Sequence, residues 1–215
     1  MAKVTTIDQA LEAVQDGMTI MIGGFLGVGT PEKLVDALVA KGVKNLTLIA
    51  NDTAMVDKGV GKLVVAKQLQ KVIVSHVGTN PETGRQMNAG EMEVELVPQG
   101  TLAEQIRAGG AGLGGFLTPT GLGTIVAQGK EVIAVDGREF LLEKPLKADA
   151  ALIKAHKADK SGNLLFHRSA RNFNPLMAMA AQLVIVEAEH IVDIGDIDPD
   201  QVMLPGIFVD WIVQE

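Results

Sequence analysis

The sequence predicts an α/β protein with a mostly parallel central sheet, and three observations lead to this class. Residues 18–22 and 46–50 are continuous apolar runs of strand length, which is typical of strands buried on both faces of a parallel sheet. Between these runs, residues 31–41 carry four Leu and Val residues at helical spacing, and Gly42 follows as a helix terminator. Because the joints are short, strand, helix and strand form a βαβ unit, in which the two strands run parallel.

Composition and charge exclude several classes of protein. The chain of 215 residues is long enough for a full hydrophobic core, so we expect one domain over residues 1–215. A net charge of -7 and 3% aromatic residues argue against partners such as nucleic acid or an anionic membrane surface. No apolar run approaches the length of a membrane span, and residues 1–6 lack the regions of a signal peptide. The absence of cysteine excludes disulfides and is consistent with a cytoplasmic protein.

The other predicted elements continue the alternation of helix and strand. A capping box at residues 6–9 begins a short helix that Gly17 ends, and a second capping box at residues 101–104 begins another helix. The second of these helices is predicted to run to residue 108, and another helix is predicted at residues 174–182. Further strands are predicted at residues 72–75, 91–97, 150–155, 183–186 and 207–213. A hairpin is predicted at residues 132–142, with its turn at Asp136 and Gly137.

The first predicted strand ends in a glycine-dense loop that we expect to contact a ligand. Four glycines fall within residues 23–29, between a buried strand and the start of a helix. Such a loop lies at the carboxyl edge of the sheet, where α/β proteins bind anionic ligands with main-chain N–H groups. Tight packing of the helix on the sheet explains one or two glycines, so four favour a ligand-facing role. The candidate binding residues are Gly23, Gly24, Phe25, Leu26, Gly27, Val28 and Gly29.

Polar residues follow three other predicted strands, as Asn51-Asp52, Ser75-His76 and Gln99-Gly100. The carboxyl ends of parallel strands meet at one edge of a sheet, so these residues and the glycine loop outline a single rim. A second glycine-dense stretch, residues 109–121, has no periodic element and is predicted to be a functional loop, either a ligand contact or an intersubunit contact.

Several motifs of other protein classes are incomplete. A Gly-x-Gly-x-x-Gly string at residues 110–115 follows a helix rather than a strand, so it does not predict a dinucleotide site. The aspartates of residues 193–200 lack the glycine and glutamate of a calcium loop and predict a solvated turn. Ser75-His76 lacks a nucleophile elbow and is interpreted as a hydrogen-bonded polar pair. The four histidines (His76, His156, His167 and His190) show no pair at helical ligand spacing, and no metal site is predicted.

A set of motifs along nearly the whole chain resembles the α-subunit of class I coenzyme A transferases. The resemblance begins with Asp16-Gly17, an apolar triplet, Gly23-Gly24-Phe25, Gly29 and Pro31. It continues through Asn51-Asp52-Thr53 and residues 90–96, 98–102, 107–112 and 169–174. The most similar members in pattern are short-chain acyl enzymes that act on acetate, acetoacetate or butyrate.

The resemblance implies an open three-layer α/β/α fold shared with certain sugar-phosphate isomerases. It also implies transfer of coenzyme A from an acyl-CoA to a free carboxylate, with CoA as a substrate and no tightly bound cofactor. In this family the thioester is attacked by a glutamate of the β-subunit, and the reaction passes through a glutamyl-CoA intermediate. The Glu-Asn-Gly context of that glutamate is missing here, and Glu82-Thr83-Gly84, the most similar string, fits a turn. This chain is therefore expected to be inactive without a β-subunit, in an α₂β₂ complex.

The resemblance further assigns Asn51 and Gln99 to the reacting centre as neutral amide donors, which suits a tetrahedral oxyanion. Lys33, Arg107 and Arg171 are candidates for the CoA phosphates. The alternative function is a non-catalytic ligand-binding module or a sugar-phosphate isomerase relative. An isomerase is expected to place a carboxylate base beside the glycine loop, and Asp52 is the candidate for that role.

Overall fold

The structure is a computed structural model that describes residues 3–215. Within this range no helix combines the length and the apolar character needed to cross a membrane. Its strands are β1 (Lys3–Val4), β2 (Thr19–Ile22), β3 (Leu46–Ile49), β4 (Leu69–Val74), β5 (Glu93–Leu96), β6 (Phe116–Thr118), β7 (Val132–Val135), β8 (Arg138–Glu143), β9 (Ala148–Asp159), β10 (Leu164–Leu165), β11 (Ala181–Val192) and β12 (Trp211–Gln214). Its helices are α1 (Ile7–Leu11), α2 (Glu32–Lys41), α3 (Gly61–Val65), α4 (Pro81–Asn88), α5 (Gln99–Gly110) and α6 (Asn174–Met179), with 3₁₀ turns at Ile125–Ala127, Arg168–Arg171, Pro199–Gln201 and Gly206–Phe208.

The main sheet has the strand order β1-β12-β11-β9-β2-β3-β4-β5, and all neighbours in this order are parallel. The predicted βαβ unit is confirmed, because β2 pairs in parallel with β3. From β2 the chain adds strands outward to β5, whereas the strands from β9 onward extend the sheet in the opposite direction. The boundary between β2 and β9 is therefore the point where the strand order reverses, and open α/β sheets bind ligands at such points.

Helices cover both faces of this sheet, which confirms the predicted three-layer α/β/α class. Ile20 and Ile22 of β2 pack with α1, α2 and α3 in one core, while Met21 packs with α5 and α6 in the other. These three side chains are almost completely buried. The continuous apolar run of β2 follows from this arrangement, because both faces of the strand are covered.

A small antiparallel sheet of order β6-β8-β7 adjoins the main body. The predicted hairpin is confirmed, with Val135 paired to Arg138 across a turn of two left-handed residues, Asp136 and Gly137. The second glycine-dense stretch is less irregular than predicted, because Gly109 and Gly110 close α5 and β6 lies within it. A Cβ on Gly109 would lie 1.9 Å from the Leu146 carbonyl oxygen, so close packing requires this glycine.

Three local predictions are wrong, and each has a physical reason. The second capping box does not exist, because α5 already begins at Gln99 and the Thr101 hydroxyl is buried inside the helix without a partner in the described structure. Glu82 lies in the first turn of α4 and not in a loop, because the Asn80 side chain caps that helix. The first helix ends at Leu11 and not near Gly17, and Lys41 Nζ donates to the carbonyls of Leu11, Glu12 and Val14.

The closing strand is also shorter than predicted. Residues 206–208 form a 3₁₀ turn, and β12 begins only at Trp211, where it pairs with β11 and β1. The strands β1 and β10 and the helix α3 were not predicted, because none is longer than five residues and a periodic pattern is weak over so short a length.

Candidate active site at the carboxyl edge of the sheet

The glycine loop after β2 folds into a tight two-residue hairpin. The Phe25 N–H donates to the Val28 carbonyl at 3.0 Å, and the Val28 N–H donates back to the Phe25 carbonyl at 2.9 Å. Leu26 and Gly27 at its centre have φ values of 48° and 88°, and two such left-handed residues are typical of a type I′ turn. The side chains of Phe25 and Val28 are 44% and 50% exposed, so the turn presents two apolar side chains outward.

Packing accounts for more of the loop glycines than the sequence indicated. A Cβ would lie 1.8 Å from Asn174 Oδ1 if placed on Gly23, 2.0 Å from Thr30 Oγ1 on Gly24, and 2.4 Å from the Ala170 carbonyl oxygen on Gly29. Only Gly27 is open, with its nearest neighbour at 3.8 Å, although its left-handed φ also favours glycine. Three of the four glycines are therefore required by close packing, against the one or two attributed to packing above.

The N–H groups of the loop are mostly satisfied within the protein. The acceptors are the Leu152 carbonyl for Gly23 (3.0 Å), Asn172 Oδ1 for Gly24 (3.2 Å) and Asp52 Oδ2 for Leu26 (3.0 Å). Within residues 3–215, Gly27 and Gly29 are the two loop residues whose N–H groups have no acceptor. Of the main-chain N–H groups expected to bind a ligand, those of Gly27 and Gly29 are therefore the two that remain available among the described loop residues.

Asn172 and Asn174 brace the glycine turn, and sequence analysis gave them no role. Asn172 accepts from the Gly24 N–H and donates through Nδ2 to the Val28 carbonyl at 2.9 Å. Asn174, which is fully buried, donates to the Gly29 carbonyl at 3.0 Å and accepts from the Lys154 N–H at 3.0 Å. Both residues belong to the motif at residues 169–174, so the resemblance had already marked the segment.

Asn51, Asp52 and Gln99 form one hydrogen-bonded chain. Gln99 Nε2 donates to Asn51 Oδ1 at 2.7 Å, and Asn51 Nδ2 donates to Asp52 Oδ2 at 2.7 Å. Asp52 also accepts from the N–H groups of Leu26 and Ala54, at 3.0 and 2.7 Å. Asn51 is 1% exposed whereas Gln99 is exposed, so Gln99 is the amide that faces the solvent side of the chain.

A cavity of about 290 Å³ joins these residues to the glycine turn. Its lining consists of Phe25, Leu26, Asn51, Asp52, Ser75, His76 and Gln99. Ser75 Oγ donates to the Asn51 carbonyl at 2.7 Å, in agreement with its interpretation as a hydrogen-bonded polar residue. Five of the six polar-cluster residues predicted at the three strand ends thus line one cavity, and Gly100 is not among its lining residues.

The N-terminus of α2, directly after the glycine turn, is occupied by a carboxylate of the protein itself. Glu187 on β11 is completely buried, and its Oε2 accepts from the Leu34 N–H at 2.9 Å. Its Oε1 is buried without a partner in the described structure. Burial raises the pKa of Glu187, against the lowering effects of the Leu34 hydrogen bond and the Lys154 charge. Sequence analysis missed this residue because it lies in the middle of a strand 153 positions away.

The three candidate cations differ in position. Lys33 is exposed in the first turn of α2, and Arg171 is exposed beside Ala170, whose carbonyl faces Gly29. Arg107 pairs instead with Glu104 at 2.8 Å, about 12 Å along α5 from Gln99 by the helix rise. Lys33 and Arg171 are therefore close in the chain to residues at the glycine turn, whereas Arg107 lies further along α5.

An α/β sheet with a polar cavity at the carboxyl ends of its parallel strands is a fold class that binds ligands at this edge. Comparison with solved structures is consistent with this class. An acyl-CoA transferase of Escherichia coli O157:H7, in a thioester complex with CoA, has a TM-score of 0.89 and 22% identity; it matches 100% of this chain and 47% of its own. Glutaconate coenzyme A-transferase of Acidaminococcus fermentans has a TM-score of 0.89 and 22% identity, over 99% of this chain and 75% of its own.

The sequence comparisons establish the family. The model of the coenzyme A transferase family matches residues 4–215, and the chain belongs to this family. It is 58% identical to the alpha subunit of the acetate CoA-transferase of Escherichia coli K12, over 98% of this chain and 96% of that protein. It is 51% identical to the acetoacetyl-CoA:acetate/butyrate CoA transferase alpha subunit of Clostridium acetobutylicum, over 100% of this chain and 98% of that protein. The predicted family and its subunit type are thereby confirmed.

Proposed function

We propose that this chain is the α-subunit of a short-chain acyl-CoA transferase. The complex would move coenzyme A between a short-chain acyl-CoA and a free acid of the acetate, acetoacetate or butyrate type. The names of the relatives at 58% and 51% identity support the substrate class. The observation that carries the proposal is the cavity in which Gln99 and Asn51 lie against Phe25 and Leu26 of the glycine turn.

In this proposal the exposed amide of Gln99 donates to the oxyanion that forms when the thioester carbonyl is attacked. One Gln99 N–H is directed by its hydrogen bond to Asn51 Oδ1, which leaves the second N–H for the substrate. Asn51 acts through Gln99 and Asp52 as a positioning residue, since it is almost completely buried. A donor fixed in this way stabilises a tetrahedral transition state by about 3 kcal/mol.

The attacking carboxylate comes from the partner chain, the β-subunit. Asp52 is the carboxylate that lines the cavity, and three hydrogen bonds occupy its two oxygens. This supports attack by a glutamate of the β-subunit, which forms an acyl anhydride and then a glutamyl-CoA thioester. The same hydrogen bonds weigh against the isomerase alternative, which needs Asp52 as a free base.

Coenzyme A enters as a substrate along the glycine turn. The apolar side chains of Phe25 and Val28 and the N–H groups of Gly27 and Gly29 suit the pantetheine arm, which has both methylene groups and amides. Because Glu187 occupies the N-terminus of α2, the phosphates bind side-chain cations instead, and the exposure of Lys33 and Arg171 supports them as candidates for that role.

The proposal also includes an α₂β₂ complex in which residues 1–215 act as one domain. The cytoplasmic location predicted from the cysteine-free sequence stays a prediction.

Reconstitution tests this function. The purified chain is assayed for CoA exchange between acids, alone and after mixing with the β-subunit, and we expect activity only in the mixture. The active mixture is then treated with acyl-CoA and analysed by mass spectrometry, and a CoA adduct is expected on the partner chain. Full activity of this chain alone, or an adduct on one of its own acids, contradicts the proposal.

A further inference from the structure

Three histidines that are far apart in the sequence meet at the carboxyl ends of β9 and β11. The register pairs Ala155 with Ala188 and Lys157 with His190, so His156 lies opposite Glu189 on the neighbouring strand. The rings of His156 and His190 have centroids 5.2 Å apart and are nearly perpendicular. The ring of His167 lies 5.1 Å from that of His156.

We propose that His156, Glu189 and His190 form a binding site for a divalent transition-metal ion of the Zn²⁺ class. One ligand atom from each of the three residues lies within 4.8 Å of the others, and His156 Nδ1 lies 2.6 Å from Glu189 Oε2. A four-coordinate Zn²⁺ with bonds of about 2.0–2.2 Å keeps its ligand atoms about 3.3 Å apart. The His156–Glu189 separation is shorter than this value and none of the three separations exceeds 4.8 Å, so side-chain rotations bring the three atoms to bonding distance.

The chemistry of the three donors selects the ion. Two imidazoles and one carboxylate suit Zn²⁺, Co²⁺ or Ni²⁺, whereas Ca²⁺ and Mg²⁺ require mostly oxygen ligands. Three protein ligands leave one position of a tetrahedral ion for water. Sequence analysis predicted no metal site because it looked for histidines at helical spacing, whereas adjacent parallel strands bring ligands together from distant parts of the chain.

The surroundings provide both partial burial and the required charge. The side chains of His156 and Glu189 are 29% and 36% exposed, so an ion can enter and is still partly shielded from water. The neighbouring cation, Lys154, is 3.6 Å from Glu189 Oε1 but 2.8 Å from Glu215 Oε1. Glu215 therefore balances the ammonium group, which leaves the charge of Glu189 for the metal.

The site is tested by titrating the full, chelator-treated chain with Zn²⁺ in a calorimeter and with Co²⁺ in an absorption spectrometer. We expect one ion per chain and cobalt d–d bands of a site with imidazole ligands. The variants are His156→Gln, Glu189→Gln and His190→Gln, and His76→Gln is the matched control outside the cluster. Mutation of a residue that only hydrogen-bonds a metal ligand lowers metal affinity about 10–100-fold. Each variant that removes a ligand itself is therefore expected to bind the ion at least about a hundredfold more weakly.

His190 is exposed, so H190Q tests the site with little risk to the core, and circular dichroism verifies the fold of every variant. Binding of one ion that is weakened in the three ligand variants and unchanged in H76Q supports the site. No saturable binding, or binding to H190Q as strong as to the unaltered chain, overturns it.

Discussion

Replacing Asp52 with alanine should loosen the candidate active site and destabilise the whole protein. The Asp52 carboxylate is 4% exposed and accepts from Leu26, Ala54 and the Asn51 side chain, at 3.0, 2.7 and 2.7 Å. Leu26 and Ala54 are both held in left-handed conformations, with φ of 48° and 49°. The carboxylate therefore connects two turns with left-handed residues to the Asn51 amide, which is hydrogen-bonded to Gln99.

The magnitude follows from the donors left behind. Ala54 and Asn51 are 2% and 1% exposed, so Asp52→Ala leaves two buried donors without an acceptor. Each such donor costs about 1–3 kcal/mol. Relaxation of the Leu26 backbone recovers about 1–2 kcal/mol. The net expectation is a loss of about 3 kcal/mol, which lowers Tm by about 6–12 °C in a protein of this size.

Thermal unfolding of Asp52→Ala measures this loss, and hydrogen exchange at the Leu26 amide reports the opening of the turn. Asp57→Ala is the matched control, because Asp57 is exposed in the next turn and its loss should change stability by less than about 0.5 kcal/mol. A Tm for Asp52→Ala equal to that of Asp57→Ala would refute the reasoning.

Three further perturbations test other parts of the site. Gln99→Ala should lower kcat of the reconstituted complex about 10²–10³-fold through loss of an oxyanion donor, with the complex still intact by size-exclusion chromatography. Gly24→Ala should destabilise the protein far more than Gly27→Ala in chemical denaturation. A Cβ on Gly24 would lie 2.0 Å from Thr30 Oγ1, whereas a Cβ on Gly27 has room and costs chiefly about 1–2 kcal/mol for a left-handed backbone conformation. Glu187→Gln should become more stable relative to the unaltered chain as pH increases, so its Tm advantage should grow. Because the pKa of Glu187 is raised in the folded state, its ionisation destabilises the native protein, and glutamine does not ionise. The effect begins above the ordinary glutamate pKa of about 4.3.

Each of these has its own control. Gln128→Ala removes an exposed glutamine and should leave kcat unchanged; equal rates for the two glutamine variants would exclude Gln99 from the site. Equal stability losses at Gly24 and Gly27 would show that the Thr30 contact is unimportant. A Tm difference for Glu187→Gln that does not vary with pH would mean that the carboxyl has the same pKa in the native and unfolded states, which contradicts the raised pKa.

The sequence predicted the parts of the site that depend on local pattern. The glycine loop, Asn51 and Gln99 each follow an apolar strand or begin the next element, and the parallel sheet brings such positions to one edge. Their specific roles are still predictions. Two signals in the sequence went unused: Asn80 followed by Pro81 is typical of a helix start, and residues 169–174 matched the family without a function.

What the sequence did not predict depends on contacts between distant residues. Asn172 and Glu187 are polar residues in a loop and in a strand, and nothing in their local pattern indicates which N–H groups they accept from. The same holds for His156 and His190, which become neighbours only through the register of β9 and β11. Periodicity shows which side of an element is buried but does not identify the residue that packs against it.

The brace formed by Asn172 and Asn174 has a consequence for how the protein is made. The glycine turn emerges from the ribosome early, yet its hydrogen bonds come from residues 144–148 positions later in the chain. A nascent chain that stops before residue 172 would contain every loop glycine and still lack the contacts that shape the turn. The turn that we propose to bind CoA therefore takes its shape only after residues 172–174 have been synthesised and have folded back onto it.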